Sequence, residues 1–272
     1  MISNIRPVVD WSGERLVPYT VDRVTFSQHL NRYIFSSQYT DNKRVLDAAC
    51  GAGYGSYYLS TKEAGKVYGI DIESSAIEWA NTTYSKLSNN LNFSIDDINS
   101  LKHKDDDFDV VVSFETLEHL PVLDNYFKEI KRVLKKDGLF IVSVPDYNTN
   151  IGAGHPNKFH FNELTFNRFK GYLEQHFECT EYYFQSLEHG SLYVRIRSAI
   201  ASLLPLQAKA WIKDKLSNKR SDTDDFNGID VNKFISINRD LLKKYSVKKM
   251  DDKFDSNIYE RLVFVAVCKY KK

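Results

Sequence analysis

Residues 44–56 read RVLDAACGAGYGS: an apolar run closing on Asp47, then Gly51, Gly53 and Gly55 at alternate positions. In an open α/β sheet, ligands settle outside the carboxyl ends of the strands, most commonly at the first strand-to-helix turn. Glycines there let the backbone turn tightly and approach a ligand that a Cβ would push away. The spacing predicts a helix from about Tyr54 whose first N–H groups are unpaired. Asp71 ends the next apolar run, KVYGI (66–70), twenty residues after Gly51, where a carboxylate can accept both hydroxyls of a ribose. Glycine turn and acidic residue together specify an adenosine-type ligand. A nicotinamide dinucleotide would need GxGxxG, and Ser56 occupies the last glycine position.

Working outward, β-rich runs at 44–48, 66–70, 91–95, 109–114 and 139–144 alternate with helical periodicity, the signature of βαβ units and a parallel sheet. Ser74 or Ser75 is placed to cap a helix carrying Ile77, Ala80, Tyr84 and Leu87 on one face. Leu123, Phe127, Ile130 and Leu134 form a second stripe, with Gly138 as its stop. ECTEYYFQ (178–185) and RLVFVAVCK (261–269) read as two further strands. This divides the chain into an N-terminal helical cap (1–43), a core (44–186), a helical insertion (187–257) and a final core strand (258–272), all within one domain. In the cap, Phe26, Leu30, Tyr33 or Ile34, and Ser37 trace a helix over the carboxyl end of the sheet.

Composition excludes several classes. Among 272 residues, 37 basic side chains face 36 acidic ones, which leaves no global field for nucleic acid. The first residues lack the apolar centre of a secretory signal, and no run reaches the ~20 apolar residues of a membrane span, so a cytoplasmic protein is expected. Cys50, Cys179 and Cys268 are dispersed and expected to be buried small apolar residues rather than a disulfide framework or zinc site.

VLDAACGAG resembles the first motif of the class I S-adenosylmethionine-dependent methyltransferases, (V/L)LDxGxGxG, with Ala49 at the first glycine position. FDVVVSFETLEHL is similar to that family's fourth-strand motif, and EIKRVLKKDGLFIVSVP to its helix, turn and fifth strand, KKDG replacing the more usual KPGG. The resemblance implies a Rossmann-like α/β fold: a seven-stranded, mostly parallel sheet with an antiparallel last strand and helices on both faces. It implies S-adenosyl-L-methionine as cofactor, with Asp71 on the ribose, Ile72 on the adenine face and Asp97 on the adenine amino group. Asp47, Ala49, Gly51, Gly53, Ile98 and Phe114 complete the implied cofactor contacts. SGERLVPYTVDRVTFSQHLNRYIF and PDYNTNIGAGHPNKFHFNELTF resemble segments of bacterial methyltransferases found among surface-polysaccharide enzymes. They imply a sugar or glycan acceptor. Arg15, with Glu14 and Tyr19, either closes over the cofactor or pins the N-terminal arm.

A sulfonium is already an activated electrophile, so the protein need only align a nucleophile and exclude water; a base matters when the acceptor is a hydroxyl. His119, in ETLEHL, and His160, in NKFHFNEL, are the candidate catalytic residues, with His155 behind them. Each has a structural alternative: His119 capping the next helix, His160 serving only its loop. Glu115 and Glu118 either hold a polar group of the ligands or charge a helix N-terminus. Glu118 and Asp146 alone do not make a magnesium site, and no metal is expected. SDTDDFNGIDVNKF fails as a calcium loop, because aligning Gly228 at the turn leaves Thr223 first and Phe234 last. Residues 192–216 form a basic amphipathic hairpin suited to an acceptor cap, a homodimer contact or a peripheral membrane surface. The reading is O-methylation of a sugar hydroxyl, nucleotide-linked or within a surface glycan. Its rivals are O-methylation of a small aromatic or quinone precursor, a cofactor-binding scaffold without turnover and, more remotely, a nicotinamide oxidoreductase.

Overall fold

A parallel sheet buries both of its faces, and the chain covers them with helices after the first, second, fourth and fifth strands and with another ahead of the first strand. The computed structural model describes residues 16, 21–150, 159–162, 164–186, 230–251, 254 and 262–271. Its strands are β1 (Arg44–Ala48), β2 (Lys66–Asp71), β3 (Leu91–Ile95), β4 (Phe108–Phe114), β5 (Leu134–Pro145), β6 (Phe177–Ser186), β7 (Lys248–Lys249) and β8 (Leu262–Tyr270). They form one sheet in the order β3-β2-β1-β4-β5-β8-β6-β7, in which β8 runs antiparallel to both β5 and β6. Around it lie α1 (Arg23–Ser36), α2 (Tyr54–Ser60), α3 (Ser74–Tyr84), α4 (Asp124–Val133), α5 (Tyr147–Asn150), α6 (Phe166–His176), α7 (Val231–Ile237) and α8 (Arg239–Lys244).

Side chains alternate across each strand, so neighbours serve different layers. Val45, Val110 and Val265 pack with Phe26, Leu30, Tyr58 and Phe234 on one face, whereas Leu46, Val111 and Phe264 pack with Phe127, Ile130 and Phe169 on the other. β8 is buried from Leu262 to Cys268, as its Val- and Phe-rich sequence predicts.

Several local expectations are corrected. Glu73, not a serine, caps α3 by accepting from Ser75 N, and Leu87 lies beyond that helix and is 52% exposed. α4 ends at Val133, because Leu134 already pairs with Phe108 in the ladder; KKDG is part of β5 across a register shift, and Gly138 is not a helix stop. The strand beyond the expected seven is β7, two exposed lysines at the sheet edge, too short to announce itself and of a type that blunts edge pairing. Cys50 is a free buried thiol, but Cys268 is disulfide-bonded, against the expectation of dispersed reduced cysteines.

Part of the expected insertion is woven into the core. Asn31 on α1 donates to Leu242 O at 3.0 Å, Gln185 on β6 donates to Tyr245 O at 2.6 Å, and the rings of Phe26 and Phe234 meet at 4.7 Å. Residues 187–229, with the basic hairpin at 192–216, lie outside the described residues.

The turn after β1 positions everything that follows. Ala49, Gly51 and Gly53 all have positive φ, at 71°, 54° and 80°. Gly53 begins α2, as the spacing predicts. A Cβ on Gly55 would lie 2.0 Å from the Tyr33 ring, so this glycine serves the close approach of α1 rather than a ligand. Beneath the turn, fully buried Asp47 accepts from Ser56 Oγ at 2.6 Å and Tyr33 Oη at 3.3 Å. Burial raises its pKa from 3.8 to about 7 despite those two donors.

Two predictions follow from this turn. Left-handed backbone costs an L-residue roughly 1–2 kcal/mol, so Ala49→Gly is expected to raise stability by about 1 kcal/mol, whereas Gly55→Ala lowers it by about 1–3 kcal/mol; urea unfolding reads both. Between pH 4 and 7 folded Asp47 keeps a proton that the unfolded chain has released. The Asp47 contribution to stability is therefore fully present below about pH 4 and is lost as pH rises through about 7, by up to about 4 kcal/mol, and Asp47→Asn should flatten that part of a melting-temperature profile.

Candidate functional site

A cavity of about 400 Å³ opens at the carboxyl ends of β1, β2 and β4, with α1 along one side. That volume suits a small-molecule ligand. Its floor is the glycine turn: Ala49, Cys50, Gly51 and Ala52 line it, and nothing lies within 4 Å of where a Gly51 Cβ would stand.

Asp71 joins the turn to β2. Its Oδ2 accepts from Gly51 N at 2.9 Å and its Oδ1 from Glu73 N at 3.0 Å, while Cys50 N donates to Ile70 O at 2.8 Å. Held this way, Asp71 lines the cavity beside the glycine turn. Ile72 follows as a large apolar side chain, 66% exposed, on the cavity lining. After β3, buried Asp96 accepts from the backbone N–H groups of Asp97 and Lys102, and Asp97 Oδ1 accepts from Asn99 N at 2.8 Å. The loop is thereby held with Asp97 and Ile98 on the cavity wall.

The other end is more polar. Glu115, after Phe114, has a positive φ of 51° and accepts from Ser143 Oγ at 2.8 Å. Strained backbone at both Ala49 and Glu115, on the same cavity, fits a place where function overrides local preference. From α1, Arg32 is buried, donating to Gln185 Oε1 at 2.8 Å and to His29 Nδ1 at 2.9 Å, with Glu115 Oε2 4.0 Å away. Burial first, and the Arg32 charge second, hold the His29 pKa well below the usual imidazole value, so His29 stays neutral at pH 7. His119, Phe159 and Phe161 complete this end.

Of the residues singled out in the sequence, Ala49, Gly51, Asp71, Ile72, Asp97, Ile98, Phe114 and His119 line this one cavity. Asp47 and Gly53 lie behind the wall: Asp47 bonds Ser56 and Tyr33, and a Gly53 Cβ would stand 2.7 Å from Ala80 and Phe93. His160 stands beside His119, ring centroids 5.0 Å apart. Arg15, Glu14, Tyr19 and His155 lie outside the described residues. Sequence reading gave no site role to His29, Arg32 or Asp96. The signal available for the first two was their i, i+3 spacing among Phe26, Leu30 and Tyr33, which puts polar groups beside a buried stripe. Among the described residues, no helix is long and apolar enough to cross a membrane.

Comparison with known proteins agrees with this geometry. A probable S-adenosylmethionine-dependent methyltransferase of Mycobacterium tuberculosis (strain CDC 1551 / Oshkosh), MT3114, is 30% identical over 160 residues, covering 58% of this chain and 57% of that protein. Methyltransferase GfsG of Streptomyces halstedii is 26% identical over 143 residues, 52% of this chain and 46% of that protein. The chain thus spans less than two thirds of the length of these curated relatives. Among solved structures, the MccD protein superposes with a TM-score of 0.56 at 19% identity over 88% of this chain and 96% of that one. A putative methyltransferase of Bacillus halodurans C-125 (BH2331) gives 0.56 at 14% identity over 89% and 99%; both likenesses are of fold. A family profile described as "Methyltransferase domain" matches residues 39–183, more than half of the chain, and on that match the chain belongs to the methyltransferase-domain family.

Proposed function

We propose that this protein transfers a methyl group from S-adenosyl-L-methionine to a hydroxyl of a sugar, free as a nucleotide conjugate or within a surface glycan. The observation that carries the reading is the division of one cavity into two chemistries. One end offers bare backbone at Gly51, the Asp71 carboxylate and apolar Ile72; the other offers Arg32, His29, Glu115 and His119 beside Phe159 and Phe161. The first end suits the donor, and the name of the mycobacterial relative supports that donor. The second suits an acceptor rich in hydroxyls, with aromatic faces for a sugar ring.

When bound, the donor's sulfonium supplies an activated methyl electrophile. The chain's own residues do the rest. Gly51 and Ala52 leave room for the amino-acid tail, Asp71 accepts from the ribose hydroxyls, Ile72 and Ile98 cover the adenine, and Asp97 accepts from its amino group. Phe114, Leu120 and Phe161 keep water from the reacting end. A hydroxyl is a poor nucleophile until its proton departs, and His119 and His160 are the groups that lower the cost of that departure. As the oxygen–methyl bond forms, the carbon–sulfur bond breaks and S-adenosylhomocysteine leaves.

Removing a hydrogen bond to a charged group costs about 1.5–3 kcal/mol, so Asp71→Ala should weaken S-adenosylhomocysteine binding roughly 10- to 100-fold by calorimetry. His119→Ala should leave that binding within about threefold while lowering kcat by about 10²–10⁴. Labelled methyl offered with nucleotide-sugar, glycan, phenol and carboxylate acceptors tests the substrate. Transfer to sugar hydroxyls is expected, and transfer only to phenols or carboxylates would overturn that assignment.

A further inference from the structure

Glu118, His119 and His160 each bring one ligand atom to a point where all three lie within 4.8 Å of one another. His119 Nε2 is 4.0 Å from Glu118 Oε1, and the two imidazoles meet edge to face. In the sequence Glu118 is beside His119, but nothing there shows that His160 returns to the same point; the only ligand pair weighed there was Glu118 with Asp146.

The cluster is held by its backbone. Phe161 N and Asn162 N donate to Glu118 O at 2.7 and 3.1 Å, and the Asn162 side chain donates to Leu120 O. The segment carrying His160 is therefore clamped to the turn carrying Glu118 and His119. His119 Nδ1 stands 3.1 Å from Phe159 O. A carbonyl oxygen can only accept, so Nδ1 carries a proton, and Nε2 is the nitrogen left facing Glu118, the one a metal ion would take. This is how an imidazole is oriented to ligate a metal: one nitrogen donates to a fixed acceptor, the other binds. Glu118 is 3% exposed, and a buried carboxylate is stabilised by positive charge beside it.

We infer that Glu118, His119 and His160 bind a first-row divalent cation at the acceptor end of the cavity. Two imidazole nitrogens and one carboxylate oxygen favour manganese, iron, cobalt, nickel or zinc over magnesium and calcium, which prefer oxygen ligands throughout. Three protein ligands leave positions open, and His119 lines the cavity, so an acceptor oxygen can take one of them. The two histidines then act on the hydroxyl through the cation. The bound oxygen releases its proton to water at lower pH and attacks the methyl carbon as the carbon–sulfur bond breaks. This role rests on the methyl-transfer reading; binding of the ion does not.

The full chain, stripped with chelator, is titrated with Mn2+ by calorimetry and electron paramagnetic resonance, and in parallel with S-adenosylhomocysteine. One Mn2+ per chain is expected, weakened at least about 100-fold in His160→Ala and in His119→Ala, with S-adenosylhomocysteine uptake retained in both variants as the measure of an intact fold. Wild-type protein that takes up S-adenosylhomocysteine but neither Mn2+, Co2+ nor Zn2+ overturns the cation site and leaves methyl transfer standing. Unchanged Mn2+ affinity in both variants also overturns it. Mn2+ uptake by folded protein that ignores S-adenosylhomocysteine supports the cation site and sinks the methyl-transfer reading.

Discussion

The hydrogen bond from Gly51 N to Asp71 Oδ2, at 2.9 Å, stitches the turn after β1 to the end of β2. The backbone there must run through left-handed conformations at residues 49, 51 and 53 while remaining in contact with the neighbouring strand. Only small side chains permit that path, and only an acceptor at the tip of β2 can hold it. Since β1 sits between β2 and β4, this one junction sets where the loops after three strands converge. The cavity follows from that convergence.

A second constraint closes the cavity from the side. α1 reaches the sheet through the contact of Tyr33 with Gly55 and through a buried polar chain from Arg32 to Gln185 and on to Tyr245. A buried guanidinium is costly unless its protons are used, and Gln28 O, Gln185 Oε1 and His29 Nδ1 accept three of them. The N-terminal helix, β6 and the segment after α8 therefore act as one wall. The same bonds hold the neutral His29 and cationic Arg32 at the polar end of the cavity.

The polar end is assembled from segments far apart in the chain. His119 follows β4, His160 follows β5, and Arg32 precedes β1; His119 Nδ1 meets Phe159 O, the His160 ring meets that of His119, and Arg32 bonds Gln185, all contacts between distant segments. The end built on the glycine turn is the reverse, since Gly51, Asp71, Ile72 and Asp97 each lie within three residues of the end of a strand in one parallel run. This difference explains why the two ends were unequally readable.

Residues 44–48 and 91–95 coincide with β1 and β3, and Gly53 opens α2, because strand period, β-branched content and turn glycines act between near neighbours. By itself the sequence determined the alternation of strand and helix, the parallel arrangement, and the placing of Asp71 and Asp97 at strand ends. It could not determine that Gly55 serves Tyr33, that Arg32 is buried, that KKDG continues β5, or that His160 meets His119. Those outcomes come from contacts between residues distant in the chain, whose energies depend on how whole elements pack. Local periodicity carries no information about which distant group fills the space beside it; only the folded sheet, with α1 laid across it, decides that.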